Sequence, residues 1–280
     1  METKQTKQKK GLKRNTIDKY YTNNTVVNLC LSSIKKYIKI HDNDVIIEPS
    51  AGNGSFIVGI KTLSSNHIFY DLEPENNNEI IKQDYLTGNY DDFKSKYNNI
   101  HVIGNPPFGR QSSLAIKFIK KSCEFCNSLS FILPKSFKKD SLKRSFPLNF
   151  HLVFECDLPE NSFLVDAVEH NVPCVFQIWE KKNVNRIVIE KLEPINFTFV
   201  GKTENPDISF RRVGVNAGTI SINIDEKSIQ SHYFIKFING KTIAQNLEIL
   251  KSIQFKHDNT VGPRSISKQE LINKFNQLLV

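Results

Sequence analysis

The sequence predicts an α/β fold with a mostly parallel sheet covered by helices on both faces, and three observations support this prediction. The 280 residues, of which 39% are hydrophobic and 24% charged, are enough for a globular chain with a large core. Short apolar runs rich in β-branched residues alternate with helix-length segments, as parallel strands and their crossover helices do. Several of these runs end in turns that contain glycine, proline or an acid. Ligands of open α/β sheets bind at this carboxyl edge of the strands.

The elements follow one another along the chain. Residues 23–40 place apolar side chains at helical spacing after a polar start and predict a helix. Strands are predicted for the runs DVIIEP, HIFYDLEP, NIHVIGNPPFG, LSFILPKSF, FHLVFECDLP and VPCVFQIWEKK. Shorter strands are predicted after residue 182 for RIVIEKL, FTFVG, ISFRRVG and TISINI. We therefore expect a basic flexible arm over residues 1–17, a main domain over 18–182 and a small α+β accessory or target-recognition region over 183–280.

Charge is distributed unevenly along the chain. The net charge is +9, but a lysine-rich composition makes this total weak support for a polyanionic partner. Residues 41–109 carry 4 basic and 10 acidic side chains, whereas residues 110–150 carry 9 basic and 2 acidic ones. Such blocks are expected if one site binds a cationic small molecule while its rim binds phosphate; solvated surface lysines are the alternative.

The sequence gives little support for a membrane protein, a secreted protein or a metal-binding protein. No apolar run approaches the ~18 residues that span a bilayer, and the basic N-terminus lacks the apolar stretch of a secretory signal. We expect an intracellular protein, cytoplasmic or nuclear, with no membrane segment. Five cysteines without a secretory context argue against a disulfide framework. Cys123 and Cys126 form a CxxC without a second pair, so no metal is expected.

The run EPSAGNGSF, from Glu48 to Phe56, closes the first predicted strand. Its glycines, Gly52 and Gly54, allow the backbone to approach a ligand closely and to turn into a helix. The run differs from the GxGxxG dinucleotide fingerprint because the third glycine is missing and a carboxylate precedes the turn. It therefore suits a cationic or polyhydroxylated ligand better than a pyrophosphate.

Two further acids and a proline-containing turn follow at later strand ends. Asp71 closes the strand in HIFYDLEP, where an acid accepts hydrogen bonds from ribose hydroxyls, and Asp84 in IIKQDYL is placed to accept one from an adenine amino group. The decisive run is Asn105-Pro106-Pro107-Phe108. Its prolines restrict the backbone, so the Asn105 side-chain oxygen and the Pro106 carbonyl form a pair of acceptors for an NH₂ group. The following Phe108 supplies a face for stacking a planar base.

Together these motifs resemble those of the S-adenosylmethionine-dependent amino-methyltransferases, especially the adenine-N6 enzymes whose cofactor motif precedes the catalytic one. The resemblance covers roughly residues 18–182, and DKYYT (residues 18–22) is similar to the family's N-terminal motif. It implies the class I methyltransferase fold, with a seven-stranded mostly parallel sheet whose last strand is antiparallel. It also implies S-adenosyl-L-methionine as cofactor, a catalytic role for Asn105, Pro106, Pro107 and Phe108, and cofactor contacts from Tyr21, Thr22, Glu48, Ser50, Gly52, Gly54, Phe56, Asp71 and Asp84.

The expected acceptor is the N6 of adenine in DNA or RNA, and the two nucleic acids are not distinguished. Phosphate contacts are expected from basic residues after the catalytic run: Arg110, Lys135, Lys138, Lys139, Lys143 and Arg144. Three alternatives stay open. They are guanine-N2 methylation of RNA, glutamine-N5 methylation of protein, and a catalytically inactive nucleic-acid-binding subunit. A partner protein subunit is also left open.

Overall fold

The computed structural model describes residues 20–75, 77–165, 168–187, 190–255 and 264–279. The predicted arm over residues 1–17 and the first two residues of DKYYT lie outside these ranges. The described residues form two compact units. Unit one contains the described residues up to Leu133 together with Ser145–Asn183, and unit two contains Pro134–Arg144 and the described residues from Val184 onward.

A seven-stranded sheet organises unit one. Its strands are β2 (Val45–Glu48), β3 (His67–Asp71), β4 (Ile80–Lys82), β5 (Ile100–Gly104), β6 (Ser128–Pro134), β7 (Phe150–Asp157) and β10 (Cys174–Lys181), in the order β4-β3-β2-β5-β6-β10-β7. The pairs β2–β3, β3–β4, β2–β5 and β5–β6 are parallel, whereas β10 runs antiparallel to β7. This arrangement confirms the predicted class I methyltransferase fold.

Helices cover this sheet. They are α1 (Asn24–Tyr37), α2 (Ile57–Lys61), α3 (Phe93–Lys96) and α4 (Ser113–Cys123). Ile46 of β2 joins a core cluster with α1 and α2, while its neighbours Val45 and Ile47 are buried outside that cluster. Because successive side chains of a strand point to opposite faces, both faces of β2 are covered. This explains why β2 and β5 read as unbroken apolar runs.

A second, small sheet lies in unit one. Strand β1 (Tyr21–Thr22) pairs antiparallel with β8 (Phe163–Val165), which pairs with β9 (Val168–His170). Asn23 continues the pairing, since its backbone N–H donates to the Ser162 carbonyl at 3.0 Å, and its side chain caps α1. The β8–β9 pair, which lies between β7 and β10 in the chain, therefore holds Tyr21 and Thr22 in place, an arrangement that the sequence did not predict.

A buried polar network joins the amino ends of three sheet strands. His101 Nδ1 lies 2.7 Å from Ser128 Oγ, and its Nε2 lies 3.3 Å from the Asp44 carboxylate. Asn99 donates a further hydrogen bond to Asp44 at 2.9 Å. Burial lowers the pKa of His101, although its hydrogen bond to Asp44 opposes that effect. No described cavity residue belongs to this network, so we assign it a structural role.

Unit two is an α+β structure. Its strands β11 (Phe197–Val200), β12 (Ile208–Arg211), β13 (Ile220–Ser221) and β14 (His232–Phe237) form a sheet in the order β11-β14-β12-β13. Helices α6 (Ile243–Leu250) and α7 (Lys268–Leu278) pack on its apolar face, and the segment Pro134–Arg144 contributes the short helix α5 (Asp140–Lys143). The predicted strand RIVIEKL is not observed. Its residues 188 and 189 lie outside the described ranges, and the other five form no strand.

Candidate active site

A cavity of about 660 Å³ opens at the carboxyl ends of the parallel strands of unit one. Strands β2 and β5 are adjacent and in parallel register, with Ile47 opposite Val102, so Glu48 and Asn105 emerge at the same edge of the sheet. The turns after β3 and β4 complete the wall. This is where open α/β sheets bind ligands, and the volume is in the range of small-molecule sites.

The glycine-containing turn after β2 adopts backbone conformations that require its glycines. Gly52 and Gly54 have φ values of +55° and +82°. A Cβ on Gly52 would lie 3.1 Å from the Tyr21 ring, and one on Gly54 would lie 2.9 Å from Ile57. Gly52 lines the cavity, whereas Gly54 shapes the turn without lining it. Gly52 therefore makes room for the Tyr21 ring, which lines the same cavity.

The acids at the strand ends line the cavity and also organise its loops. The Asp71 carboxylate accepts hydrogen bonds from the backbone N–H groups of Gly52 at 2.7 Å and Glu73 at 2.8 Å. Asp84 accepts one from the Leu86 N–H at 2.9 Å. Each carboxylate has about four acceptor positions, so both acids retain capacity for a ligand's hydroxyl or amino groups.

Glu48 is the most unusual acid of the site. Complete burial, reinforced by the nearby Asp71 carboxylate, raises the pKa of Glu48 well above its usual range. Its Oε2 is buried and has no hydrogen-bond partner in the described part of the chain. A buried carboxyl without a partner costs stability unless a ligand supplies one. The arrangement therefore suits a ligand that brings a cation or a hydrogen-bond donor to this wall.

The amide of Asn105 is held in one orientation. Its Nδ2 donates to the Tyr20 carbonyl at 3.1 Å and to Thr22 Oγ1 at 3.3 Å. Its Oδ1 is buried and has no partner among the described residues, although Asn105 lines the cavity. Ser50 Oγ also donates to the Asn105 backbone carbonyl at 3.2 Å. The side-chain oxygen is thus a preorganised, unused acceptor for an N–H donor within the cavity.

The other residues of the proline-containing turn have different surroundings. Pro107 lines the cavity, Pro106 is buried, and Phe108 is half-buried against the core cluster with α1 and α2. The Phe108 carbonyl accepts the backbone N–H groups of Leu114 and Ala115, which begin α4. The turn that carries Asn105 therefore leads directly into the start of α4.

The predicted cofactor contacts converge on the cavity. Eight of the nine line its wall, namely Tyr21, Thr22, Glu48, Ser50, Gly52, Phe56, Asp71 and Asp84. Sequence reasoning did not single out Leu72, Gln83, Leu86 and Phe118, which also line it. Leu72 is 60% exposed despite being apolar. Leu72 is an apolar residue that directly follows the acid at the end of a strand. This position in the sequence would have indicated it as a surface for a planar ring.

The predicted phosphate contacts separate into two groups. Arg110 lines the cavity and is exposed. The other five belong to the segment Pro134–Arg144 of unit two, where Arg144 is exposed and the lysines are half-buried. The Lys139 ammonium donates to the Ser265 carbonyl at 2.9 Å and lies 3.3 Å from the Glu270 carboxylate. Its charge is therefore used within unit two, and we omit Lys139 from the proposed contacts.

The described ranges contain neither a candidate metal centre nor a candidate membrane span. No group of three or more histidine, cysteine or acidic side chains in these ranges is arranged to hold a metal ion. Likewise, no helix within them has both the length and the apolar character needed to cross a bilayer.

Comparison with known proteins gives weak sequence similarity. No protein-family model matches the chain. The protein ENHANCED DOWNY MILDEW 2 of Arabidopsis thaliana is 28% identical over 150 residues, which cover 49% of this chain but only 11% of the plant protein. The matched segment therefore spans about a tenth of that relative's length.

Several solved structures are similar in fold. A provisionally assigned RNA methyltransferase, PH1948 from Pyrococcus horikoshii, has 18% identity and a TM-score of 0.42, covering 61% of this chain and 92% of its own. The 23S rRNA methyltransferase ErmE has 12% identity and a TM-score of 0.42, covering 61% and 72%. A dimethyladenosine transferase from Plasmodium falciparum has 16% identity and a TM-score of 0.39, covering 58% and 63%. The fold assignment for this chain rests on its own strand order and directions.

Proposed function

We propose that this protein is an S-adenosylmethionine-dependent methyltransferase that transfers a methyl group to the exocyclic N6 of adenine in DNA or RNA. One observation carries the proposal. The buried Asn105 Oδ1 has no partner among the described residues, although its own NH₂ group is anchored on the opposite side. A hydrogen-bond acceptor of this kind suits the amino group of a planar base as its donor.

The cavity fits the proposed cofactor. Its volume of about 660 Å³ accommodates a nucleoside with an amino-acid tail. Asp71 and Asp84 have free acceptor positions for ribose hydroxyls and an adenine amino group. The unpartnered Glu48 carboxyl suits the cationic end of such a ligand. When bound, S-adenosylmethionine supplies an electrophilic methyl group on a positively charged sulfur.

Residues of the chain itself orient the amine that receives the methyl group. Asn105 Oδ1 accepts a hydrogen bond from the exocyclic amine, and the resemblance assigns a second acceptor to the Pro106 carbonyl. These contacts disfavour delocalisation of the nitrogen lone pair into the ring, which makes the amine a better nucleophile. The proton that the amine loses after methylation passes to water. Catalysis then depends on positioning and preorganised dipoles.

A nucleic acid is the favoured source of the base. Exposed Arg110 lies at the cavity wall, where it can contact a phosphate while the adjacent base enters the cavity. A base must leave its stack, or come from a single strand, to reach such a depth. An extruded adenine from DNA and an unpaired adenine from RNA satisfy this requirement equally.

The test uses labelled S-adenosylmethionine with double-stranded DNA, single-stranded DNA, capped RNA and uncapped RNA, followed by mass spectrometry of the nucleosides. We expect N6-methylated adenosine or deoxyadenosine from one of these substrates. Methylated guanosine would show that guanine, and not adenine, is the acceptor. Label found only in protein glutamine would show that the acceptor is a protein. Cofactor binding without transfer to any substrate would contradict catalysis by this chain.

A further inference from the structure

Nearly all of the net positive charge belongs to unit two. The segments Pro134–Arg144 and 184–280 contain 18 basic and 10 acidic residues, whereas the rest of the chain contains 20 and 19. The net charge of the unit without the cavity is therefore +8 of the total +9. A charge this concentrated favours a polyanionic partner for unit two itself.

Part of this charge is combined with aromatic rings in one cluster. Phe199 and Tyr233 come from the paired strands β11 and β14, and their ring centroids lie 5.6 Å apart in an edge-to-face arrangement. The Lys268 ammonium lies 4.6 Å from the Phe199 ring centre and 5.9 Å from that of Tyr233. The Arg212 guanidinium lies 5.6 Å from the Tyr233 ring centre. We call these four residues the aromatic–cation cluster.

The cluster is accessible and only partly used within the protein. Both rings are partly exposed, and Lys268 is exposed. The Arg212 guanidinium donates to the Gln230 carbonyl at 2.7 Å, which orients it beside Tyr233. The Lys268 ammonium has no hydrogen bond or ion pair to another described residue. Lys268 is also the first residue of α7, where the helix dipole disfavours a cation, so helix stability does not explain it.

We propose that the aromatic–cation cluster is a contact site for single-stranded nucleic acid, separate from the residues that line the cavity. A base stacks on the exposed part of Phe199 or Tyr233, and the cations of Lys268 and Arg212 contact the flanking phosphates. Stacking rings combined with cations are how sequence-tolerant single-strand sites work. The inference deepens the proposed function, on which it rests, by assigning a substrate contact to unit two.

The test measures binding of fluorescently labelled single-stranded RNA and DNA oligonucleotides to the full chain by anisotropy over a range of salt concentrations. Lys268→Ala and Arg212→Ala should each weaken binding about 5- to 10-fold and reduce the salt slope by ~1. Phe199→Leu should weaken binding about 5-fold or more while leaving the salt slope unchanged, because it removes stacking and no charge.

Lys236→Ala is the matched control. Lys236 is exposed and belongs to the same strand as Tyr233, but the strand alternation places it on the opposite face of the sheet. The Lys236→Ala substitution removes the same charge from the same unit but lies away from the cluster. It should therefore leave the affinity and the salt slope near their wild-type values. Equal losses in Lys236→Ala and Lys268→Ala would show an unspecific charge effect and overturn the site. Thermal unfolding of each variant verifies that it is folded.

A parallel transfer assay separates the two proposals. If the wild-type protein methylates adenine but oligonucleotide binding is unaffected by substitutions in the cluster, the inference fails and the proposed function stands. If binding depends on the cluster but no nucleic acid is methylated, the proposed function fails and the contact site stands. Both proposals predict that Lys268→Ala raises the KM for the nucleic acid and leaves kcat at saturating substrate unchanged.

Discussion

Replacing Thr22 by valine should impair catalysis through Asn105 without removing any catalytic atom. The Thr22 hydroxyl is one of two acceptors that hold the Asn105 NH₂ group and so fix the orientation of its side-chain amide. Valine has nearly the same shape as threonine but cannot accept this hydrogen bond. The Tyr20 carbonyl remains, so the amide loses one of its two anchors and samples orientations in which Nδ2 faces the substrate.

The size of the effect follows from the lost hydrogen bond. A neutral hydrogen bond of this kind contributes ~1 kcal/mol, with a range of about 0.5–1.5. If the whole contribution serves to orient the amide, kcat should fall about 5-fold, and at most ~13-fold. The free energy of unfolding should also fall by ~1 kcal/mol, because Thr22 is buried and valine leaves an Asn105 N–H without this acceptor.

The assay measures kcat, KM and the Kd for S-adenosylmethionine of Thr22→Val and Thr22→Ser. Serine keeps the hydroxyl and should preserve most of kcat, while the Kd of both variants should stay within about 2-fold of wild type. Wild-type kcat in Thr22→Val would refute the positioning role. A raised Kd with unchanged kcat would show that Thr22 acts only as a cofactor contact.

Three further predictions concern charge and stability. Because burial raises the pKa of Glu48, affinity for the cationic cofactor should increase with pH until this carboxyl is ionised, and Glu48→Gln should abolish that increase in calorimetric titrations. Because burial lowers the pKa of His101, the unfolded chain binds a proton at this histidine at a higher pH than the folded protein does. The free energy of unfolding in urea should therefore decrease as the pH falls below ~6.5, and less steeply in His101→Gln. Lys139→Met should lower the free energy of unfolding by ~1–2 kcal/mol, since it removes a partly buried charged hydrogen bond and the Glu270 ion pair. The exposed lysine Lys251, which pairs with a neighbouring acid, serves as the control, and its substitution by methionine should change this free energy by less than ~0.5 kcal/mol.

Each of these predictions has a contradicting result. An affinity for the cofactor that does not change with pH in the wild-type protein would show that the buried carboxyl of Glu48 does not face the cation. Identical pH slopes in wild type and His101→Gln would assign acid sensitivity to other groups. Equal effects of Lys139→Met and Lys251→Met would mean that burial adds nothing to the Lys139 interactions.

The sheet of unit one was predictable because its signals are local. Buried parallel strands such as β2 and β5 read as continuous apolar runs, and the residue types that end them are those that bind ligands. Eleven of the predicted site residues line the cavity, and each of them ends a strand, follows a strand end or belongs to β1. Parallel register then brings residues distant in sequence, such as Glu48 and Asn105, to one edge.

The remaining features depend on tertiary contacts that no local pattern contains. The two residues of β1 form a strand only because β8 pairs with them across about 140 residues of sequence. The lysine-rich segment after β6 looks like a continuous basic surface. In the structure, Lys139 is paired within unit two, because Ser265 and Glu270 are brought next to it from a distant part of the chain. Long-range contacts of this kind decide which cations remain available.

Single-turnover methyl transfer by Asn105→Ala tests the central claim most directly. The protein is loaded with S-adenosylmethionine, mixed with the nucleic acid that the wild type methylates, and the methylated nucleoside is counted over time. We predict a rate at least ~100-fold below wild type, with a cofactor Kd within about 2-fold, because the substitution removes the acceptor for the target amine and leaves the Gly52 turn and the strand-end acids intact. A transfer rate near that of the wild type would show that Asn105 Oδ1 does not bind the target amine and would contradict the proposed mechanism.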